Sequence, residues 1–217
     1  KVEHYINSSG LAEMIEGTEI AREFKRIFAC SFIYNKEGEA EWPGVAVDYT
    51  AKTQFLFKIN KGILSVRDNK KVNESQMEEN KRIPFPHMIY FGDGMTDIPS
   101  MKIVKEKGGN AIAVYRPKSK HRKNAIQLLA DNRVNFALPA DYRENSQLDH
   151  VVKTILDKMA TERDLDVLKV KEDKKKKEKE KADKKKKEEK KKKEKEKKEK
   201  KEKAEKKETK EKKEDVS

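Results

Sequence analysis

The chain has 217 residues and a formal net charge of +13, and its charge is unevenly placed. Of its 53 Lys and Arg residues, 26 lie after position 170, where the sequence is almost entirely Lys and Glu. The single cysteine excludes an internal disulfide, and no stretch approaches the roughly 20 apolar residues that span a bilayer. Because the N-terminus also lacks a signal-peptide pattern, we expect a cytoplasmic protein without a membrane partner.

Composition divides the chain into two parts. Residues 1–168 contain enough apolar side chains for one hydrophobic core, whereas residues 169–217 form a low-complexity tail that cannot bury enough surface to offset the entropy of ordering. Glu and Lys at spacings of three and four support a solvated helix. The tail is therefore predicted to be either a lone charged helix or disordered.

The first half of the globular part predicts a strand, a helix, a hairpin and a second helix. The strand covers residues 2–6 and runs into Asn7-Ser8-Ser9-Gly10, and the helix that follows ends at Gly17. The hairpin pairs residues 27–34 with 40–47, and the second helix covers 50–59. Residues 63–82 are polar, and we predict a further helix from Val72 onward.

The second half alternates strands with helices. Strands are predicted over 88–91, 111–115 and 134–138, and helices over 97–107, 123–132 and 146–166. Strands separated by helices of ten or more residues indicate an α/β fold with a doubly wound parallel sheet.

The most informative motif is the turn after the strand at 88–91, which reads Gly92-Asp93-Gly94-Met95-Thr96-Asp97. A carboxylate placed just beyond a buried strand faces the crevice where open α/β sheets bind ligands. The flanking glycines leave room for a phosphate or a hydrated cation beside Asp93. Asp97 lies in the first turn of the next helix, where it can orient a neighbouring ligand or lysine.

Three elements recur in order: a strand that ends at Ser8, a helix that carries Lys52 and a strand that ends at Asp93. This layout resembles the haloacid dehalogenase-like hydrolase superfamily, and it is most similar to the phosphoserine phosphatase-like members. The likeness covers roughly residues 1–160. It implies a Rossmann-like core and a Mg²⁺-dependent phosphatase that acts on a small phosphorylated substrate.

The resemblance implies a role for each matching residue. Ser8 would hydrogen-bond a phosphoryl oxygen, helped by the backbone N–H groups of Ser9 and Gly10 at the helix start. Lys52 would neutralise charge on the transferring phosphoryl group. Two other lysines on or just after the same helix, Lys58 and Lys61, are the competing candidates.

The acidic turn would supply the metal site. Asp93 would ligate Mg²⁺, which takes one or two carboxylates, substrate phosphate and several waters. Asp97 would hold Lys52 or a metal-bound water.

One motif of the superfamily has no counterpart here. The nucleophile is the first Asp of an Asp-x-Asp motif on a strand that precedes the Ser motif. We therefore expect the sequence, which begins at Lys1 rather than Met, to be an inactive fragment of an active phosphatase. Any cap domain would also precede Lys1.

Three rival interpretations remain open. Ile98-Pro99 extends the acidic turn in the way seen in the phosphorylation domain of P-type ion pumps, but no membrane span is present in the sequence. A non-catalytic protein of the same fold could display the charged tail to a partner. Nucleic-acid binding through the tail is the third interpretation, and the interleaved glutamates argue against it.

Overall fold

The computed structural model describes residues 1–66, 68–119 and 121–214, the side chains of residues 79 and 181–214 excepted. It divides into two units, which meet in sequence between Leu156 and Asp157. The last three residues of the predicted tail lie outside the described part. Among the described helices, none combines the length and the apolar composition that crossing a membrane requires.

The first unit is an α/β structure with two three-stranded sheets. In one sheet, parallel β1 and β2 are followed by antiparallel β3, and in the other β4, β5 and β6 are all parallel. The strands are β1 (His4–Leu11), β2 (Phe24–Tyr34), β3 (Ala40–Val45), β4 (Ile89–Gly92), β5 (Asn110–Tyr115) and β6 (Phe136–Pro139).

Six α-helices accompany the strands in the part of the chain that the structure describes. They are α1 (Ala12–Glu16), α2 (Tyr49–Lys61), α3 (Asn69–Asn73), α4 (Ile98–Glu106), α5 (His121–Ala130) and α6 (Gln147–Glu214). A 3₁₀ turn over Met95–Asp97 precedes α4. The predicted α/β class is therefore present, with parallel strand pairs and intervening helices.

The helix that carries Lys52 has well-defined ends. The Asp48 side chain accepts a hydrogen bond from the Ala51 N–H at 2.8 Å, which satisfies one of the free donors of the first turn. Gly62 ends α2 in the left-handed conformation with φ 76°, which costs glycine little because it has no Cβ. Both ends agree with the predicted helix over 50–59.

The core lies between the sheets and helices α2 and α4. Phe28 of β2 stacks on Phe55 of α2 with ring centroids 4.6 Å apart. Met101 and Val104 of α4 are fully buried, as is Ile112 in the middle of the second sheet. Burial of these side chains supplies the main driving force for folding of the first unit.

The predicted helix from Val72 onward is wrong, because α3 ends at Asn73 and the backbone is extended at Glu74. The Lys61 ammonium donates to the carbonyls of Val72 and Glu74. In a continuing helix those carbonyls would accept hydrogen bonds from backbone N–H groups of the next turn. Here the Lys61 ammonium supplies the hydrogen bonds instead.

The charged tail is helical as far as the structure describes it, since α6 continues to Glu214. Of the two alternatives left open by composition, the lone charged helix is therefore the one observed. The first turns of α6 bury Leu148 and Ile155, and the start of α6 agrees with the helix predicted from residue 146.

Candidate functional site

Asn7 and Ser8 of β1 and the carboxyl ends of β4 and β5 border an open cleft of about 460 Å³. In a parallel arrangement these strand ends are where α/β proteins place ligands. Its lining residues are Asn7, Ser8, Lys52, Phe91, Gly92, Asp93, Asp97, Val114, Tyr115, Arg116, Ala140 and Tyr142. The structure thus brings Ser8, Lys52, Asp93 and Asp97 to one place.

A buried ion pair joins the two sides of this cleft. The Lys52 Nζ donates to Asp97 Oδ1 at 2.8 Å and to Thr96 Oγ1 at 3.2 Å. The side chains of Lys52 and Asp97 are only 6% and 9% exposed. Two charges buried this far are tolerated because each compensates the other. Lys52 is therefore held at one position on the cleft wall.

Asp97 is fixed by more than the lysine. The Tyr90 hydroxyl donates to the same Oδ1 at 2.8 Å, and the Gly94 N–H donates to Oδ2 at 3.3 Å. Burial, followed by the nearby Asp97 charge, raises the pKa of Tyr90 well above its usual range. The phenol therefore remains a hydrogen-bond donor to the carboxylate at neutral pH.

Gly92, the last residue of β4, provides the space that Asp97 occupies. A Cβ at this position would lie 2.6 Å from Asp97 Cβ and 3.1 Å from Met101 Sδ. At Gly94 an added Cβ would meet only ordinary contacts, the nearest at 3.6 Å. The first glycine of the turn is therefore required for close packing, and the second tolerates a side chain.

Asp93 is exposed at the cleft, and none of the ion pairs among the described side chains involves it. In the part of the chain with described side chains, no group of three or more His, Cys, Asp or Glu residues is placed to hold a metal. Asp97 is engaged by Lys52 and Tyr90. The free Asp93 carboxylate fits one side of a Mg²⁺ site, in which substrate phosphate, water and a further carboxylate would complete the coordination shell.

Ser8 lies at the cleft, and its Oγ accepts the N–H of Gly10 at 3.0 Å. A hydroxyl has a donor as well as acceptor capacity, so its O–H stays available to an anion. The expectation that Ser9 and Gly10 begin a helix is wrong. The pairing of β1 with β2 extends to Leu11 opposite Cys30, so both are strand residues, and neither lines the cleft.

The structure separates the three candidate lysines. Lys58 is fully buried and donates to the carbonyls of Ser65 and Val66, and burial lowers its pKa. The Lys61 ammonium donates to the carbonyls of Val72 and Glu74. Since only Lys52 borders the cleft, Lys58 and Lys61 stabilise the segment after α2 instead.

Sequence reasoning assigned no site role to Asn7 or Arg116, both of which line the cleft. The Asn7 Nδ2 donates to the Lys52 carbonyl at 2.9 Å, while its Oδ1 is buried without a partner among the described residues. Arg116 directly follows β5. The rule that singled out Asp93, a polar residue just beyond a strand, applies equally to Arg116 and would have found it.

Arg143, in the loop after β6, lies at the surface. Its side chain is 86% exposed, and its guanidinium pairs with Asp141 at 2.7 Å. This hydrogen bonding lowers the pKa of Asp141 to about 2.

Comparison with known proteins gives one informative similarity. A protein of Borreliella burgdorferi, described only as uncharacterised, is 30% identical over 165 residues, which cover 68% of this chain and 55% of that protein. The chain therefore spans about half the length of this relative. No family model and no solved structure matches the chain. The geometry of the cleft is consequently the main evidence on function.

Proposed function

We propose that the complete parent protein is a Mg²⁺-dependent phosphomonoester hydrolase of the haloacid dehalogenase-like type, and that this chain supplies its phosphate-binding half. The supporting observation is the cleft where Ser8, Lys52, Asp93 and Asp97 meet, with Lys52 bound to Asp97. The resemblance requires three sequence motifs, separated by some forty residues each, to meet at one site. Their common cleft favours the proposal.

Each residue has a chemically suitable task. The Ser8 O–H donates to a phosphoryl oxygen, and the Lys52 ammonium offsets charge on the transferring group. Asp97 is a positioning residue, since it holds Lys52 and is itself held by Tyr90. Because these groups are fixed before substrate arrives, little reorganisation accompanies the reaction.

Magnesium would be held by Asp93, and when bound it neutralises phosphate charge. The remaining protein ligand would come from the aspartate motif that this sequence lacks. Asp93 is suited to this task because it is exposed on the cleft and free of ion pairs among the described side chains.

The nucleophile would enter on an additional strand. Among the described strands, β1 pairs only with β2 and β4 pairs only with β5, so each has one open edge at the same cleft. A strand between them would join the two sheets into the doubly wound sheet of the superfamily. It would also bring backbone donors near the unpartnered Asn7 Oδ1.

With that strand in place the reaction has two steps. An oxygen of the first aspartate of the missing motif forms a bond to phosphorus while the bond from phosphorus to the alcohol oxygen breaks. The second aspartate of that motif, which the superfamily uses as acid and base, gives its proton to the departing oxygen. Water then hydrolyses the aspartyl-phosphate and releases phosphate.

Two measurements test the proposal. The 217-residue chain should release no phosphate from phosphomonoesters with Mg²⁺, whereas the parent protein should do so and lose the activity in Asp93→Asn. Phosphate release by the chain alone, at a rate that Asp93→Asn abolishes, would overturn the expectation that it is inactive. A parent protein without phosphatase activity would overturn the function itself.

The second candidate is a non-catalytic protein of this fold that displays its charged helix to a partner. The long Lys- and Glu-rich α6 favours it. The coding sequence upstream of Lys1 distinguishes the two, since an Asp-x-Asp motif on a predicted strand supports an enzyme. An intact gene without that motif supports the interaction protein.

A further inference from the structure

A second cleft, also of about 460 Å³, adjoins the first. The two clefts share Asp93, Val114, Tyr115 and Arg116, and the second adds Ser119 and His121. Neither Ser8 nor Lys52 lines it. A ligand group bound here would therefore be next to the phosphoryl position but outside the machinery already described.

Arg116 stands at the junction of the two clefts. Its side chain is exposed, and none of the ion pairs among the described side chains includes it. A guanidinium presents a planar pair of N–H donors that matches two oxygens of a phosphate. Arg116 is thus a cation available to a ligand in either cleft.

The two side chains that line only the second cleft, Ser119 and His121, also carry donor groups. The Ser119 Oγ is buried and has no hydrogen-bond partner among the described residues. His121 begins α5 and lines the same cleft. Residues 116–123 read Arg-Pro-Lys-Ser-Lys-His-Arg-Lys, which contains no acidic residue. Among the described residues that line this cleft, Asp93 is the single carboxylate, and in the proposed function Mg²⁺ would offset its charge. Arg116 and the basic residues next to it in sequence then favour an anion.

We propose that the second cleft binds a second phosphate group of the substrate, so that the preferred substrate is a small bisphosphate rather than a monophosphate. This inference rests on the proposed phosphatase function, because it places the reacting phosphate in the first cleft. Arg116 then lies between the two phosphates and offsets their mutual repulsion. Ser119 and His121 donate to the outer one.

Binding to the 217-residue chain tests the proposal without requiring turnover. A hexose bisphosphate and the corresponding hexose monophosphate are titrated in the presence of Mg²⁺, and binding is followed by calorimetry and by amide chemical shifts. We expect the bisphosphate to bind about tenfold more tightly or better, as one charge-assisted bidentate contact provides. Its additional shifts should fall at Arg116, Ser119 and His121.

Two variants with the same change of charge locate the effect. Arg116→Gln should remove the bisphosphate advantage, because it should weaken bisphosphate binding by a larger factor than monophosphate binding, although Arg116 also lines the first cleft. Arg122→Gln, in the same basic segment but outside both clefts, should retain the advantage. Equal binding of the two ligands, or an equal loss in both variants, would overturn the second phosphate site.

A different failure would identify the proposed function as the error. If the bisphosphate binds through Arg116 while Lys52→Met and Asp93→Asn leave binding of both ligands unchanged, the first cleft is not the phosphoryl site. The phosphatase proposal then falls, and Arg116 remains an anion site of another kind. If neither ligand binds, both proposals are overturned.

Discussion

The Lys52 ammonium lies 2.8 Å from Asp97 Oδ1, and the two side chains are buried together between α2 and the turn before α4. The pair connects two segments that are 45 residues apart in sequence. The ion pair fixes Lys52 at the cleft, and it also holds Asp97 in the space beside Gly92. Removal of the pair therefore affects both the stability of the fold and the proposed site.

Breaking this pair should be costly. Lys52→Met leaves the Asp97 carboxylate buried with only Tyr90, Gly94 and any entering water, and we expect a loss of about 3–5 kcal/mol in the free energy of unfolding. The double variant Lys52→Met/Asp97→Asn should lose less than the sum of the single variants, because no unpaired charge remains. Chemical denaturation measures both.

The matched control is Lys102→Met on α4, whose ion pair with Glu106 is exposed. It should change the unfolding free energy by no more than about 1 kcal/mol. Equal losses in Lys52→Met and Lys102→Met would contradict the burial of the Lys52–Asp97 pair.

Gly92 and Gly94 should respond differently to alanine. At Gly92 the new Cβ would overlap Asp97 Cβ at 2.6 Å, so we expect a loss of about 1–3 kcal/mol from overpacking. Gly94→Ala meets no contact closer than 3.6 Å and should cost much less. Thermal unfolding of the two variants provides the comparison, and a larger effect at Gly94 would show that the turn packs differently.

Tyr90 predicts a specific dependence on alkaline pH. Its pKa is raised in the folded state, so the stability that it contributes is fully present below about pH 10, the ordinary tyrosine value. That contribution is lost as pH rises above this value, because the unfolded phenol ionises first. We therefore expect the unfolding free energy of the native chain to fall above about pH 10.

In Tyr90→Phe the unfolding free energy should fall less steeply at alkaline pH. Part of the fall should remain, because burial also raises the pKa of Tyr5. At neutral pH the variant should lose about 1.5–3 kcal/mol, the contribution of a hydrogen bond to a charged group. Tyr142→Phe is the control, since Tyr142 is exposed. An unchanged alkaline slope in Tyr90→Phe would refute this assignment.

Asp93 should matter for cation binding and little for stability. We expect the chain to bind a divalent cation weakly and Asp93→Asn to abolish this binding. The same change should alter the unfolding free energy by less than about 0.5 kcal/mol. Paramagnetic Mn²⁺ can replace Mg²⁺ and broaden the amide resonances of residues 92–94. Asp131→Asn, an exposed carboxylate outside both clefts, should retain the broadening.

The charged tail should contribute little to nucleic-acid binding. Deleting residues 171–217 removes 26 basic but also 16 acidic residues. We expect full-length and truncated chains to bind single-stranded RNA with similarly low affinity at physiological salt, with equal unfolding midpoints. Filter binding at two salt concentrations measures this. Tight binding that falls steeply with salt and disappears on truncation would support the nucleic-acid interpretation.

Much of the local structure could be predicted from the residues. Hydrophobic runs located β4 and β5, and the pattern over residues 50–59 located α2, because these features depend on side chains close in sequence. The prediction failed after Val72, where the Lys61 ammonium takes over carbonyls that a longer helix would have used. A lysine eleven positions earlier leaves no periodic signal in that segment.

The sequence by itself determined the α/β class, the acidic turn at the end of a strand and the separate charged segment. Only the tertiary structure decided which of three lysines meets Asp97, and that Arg116 and Asn7 share the cleft. The physical reason is the distance along the sequence over which each interaction acts. Periodicity, caps and turns record interactions within a few residues, whereas an ion pair across 45 positions is selected by packing of the whole core.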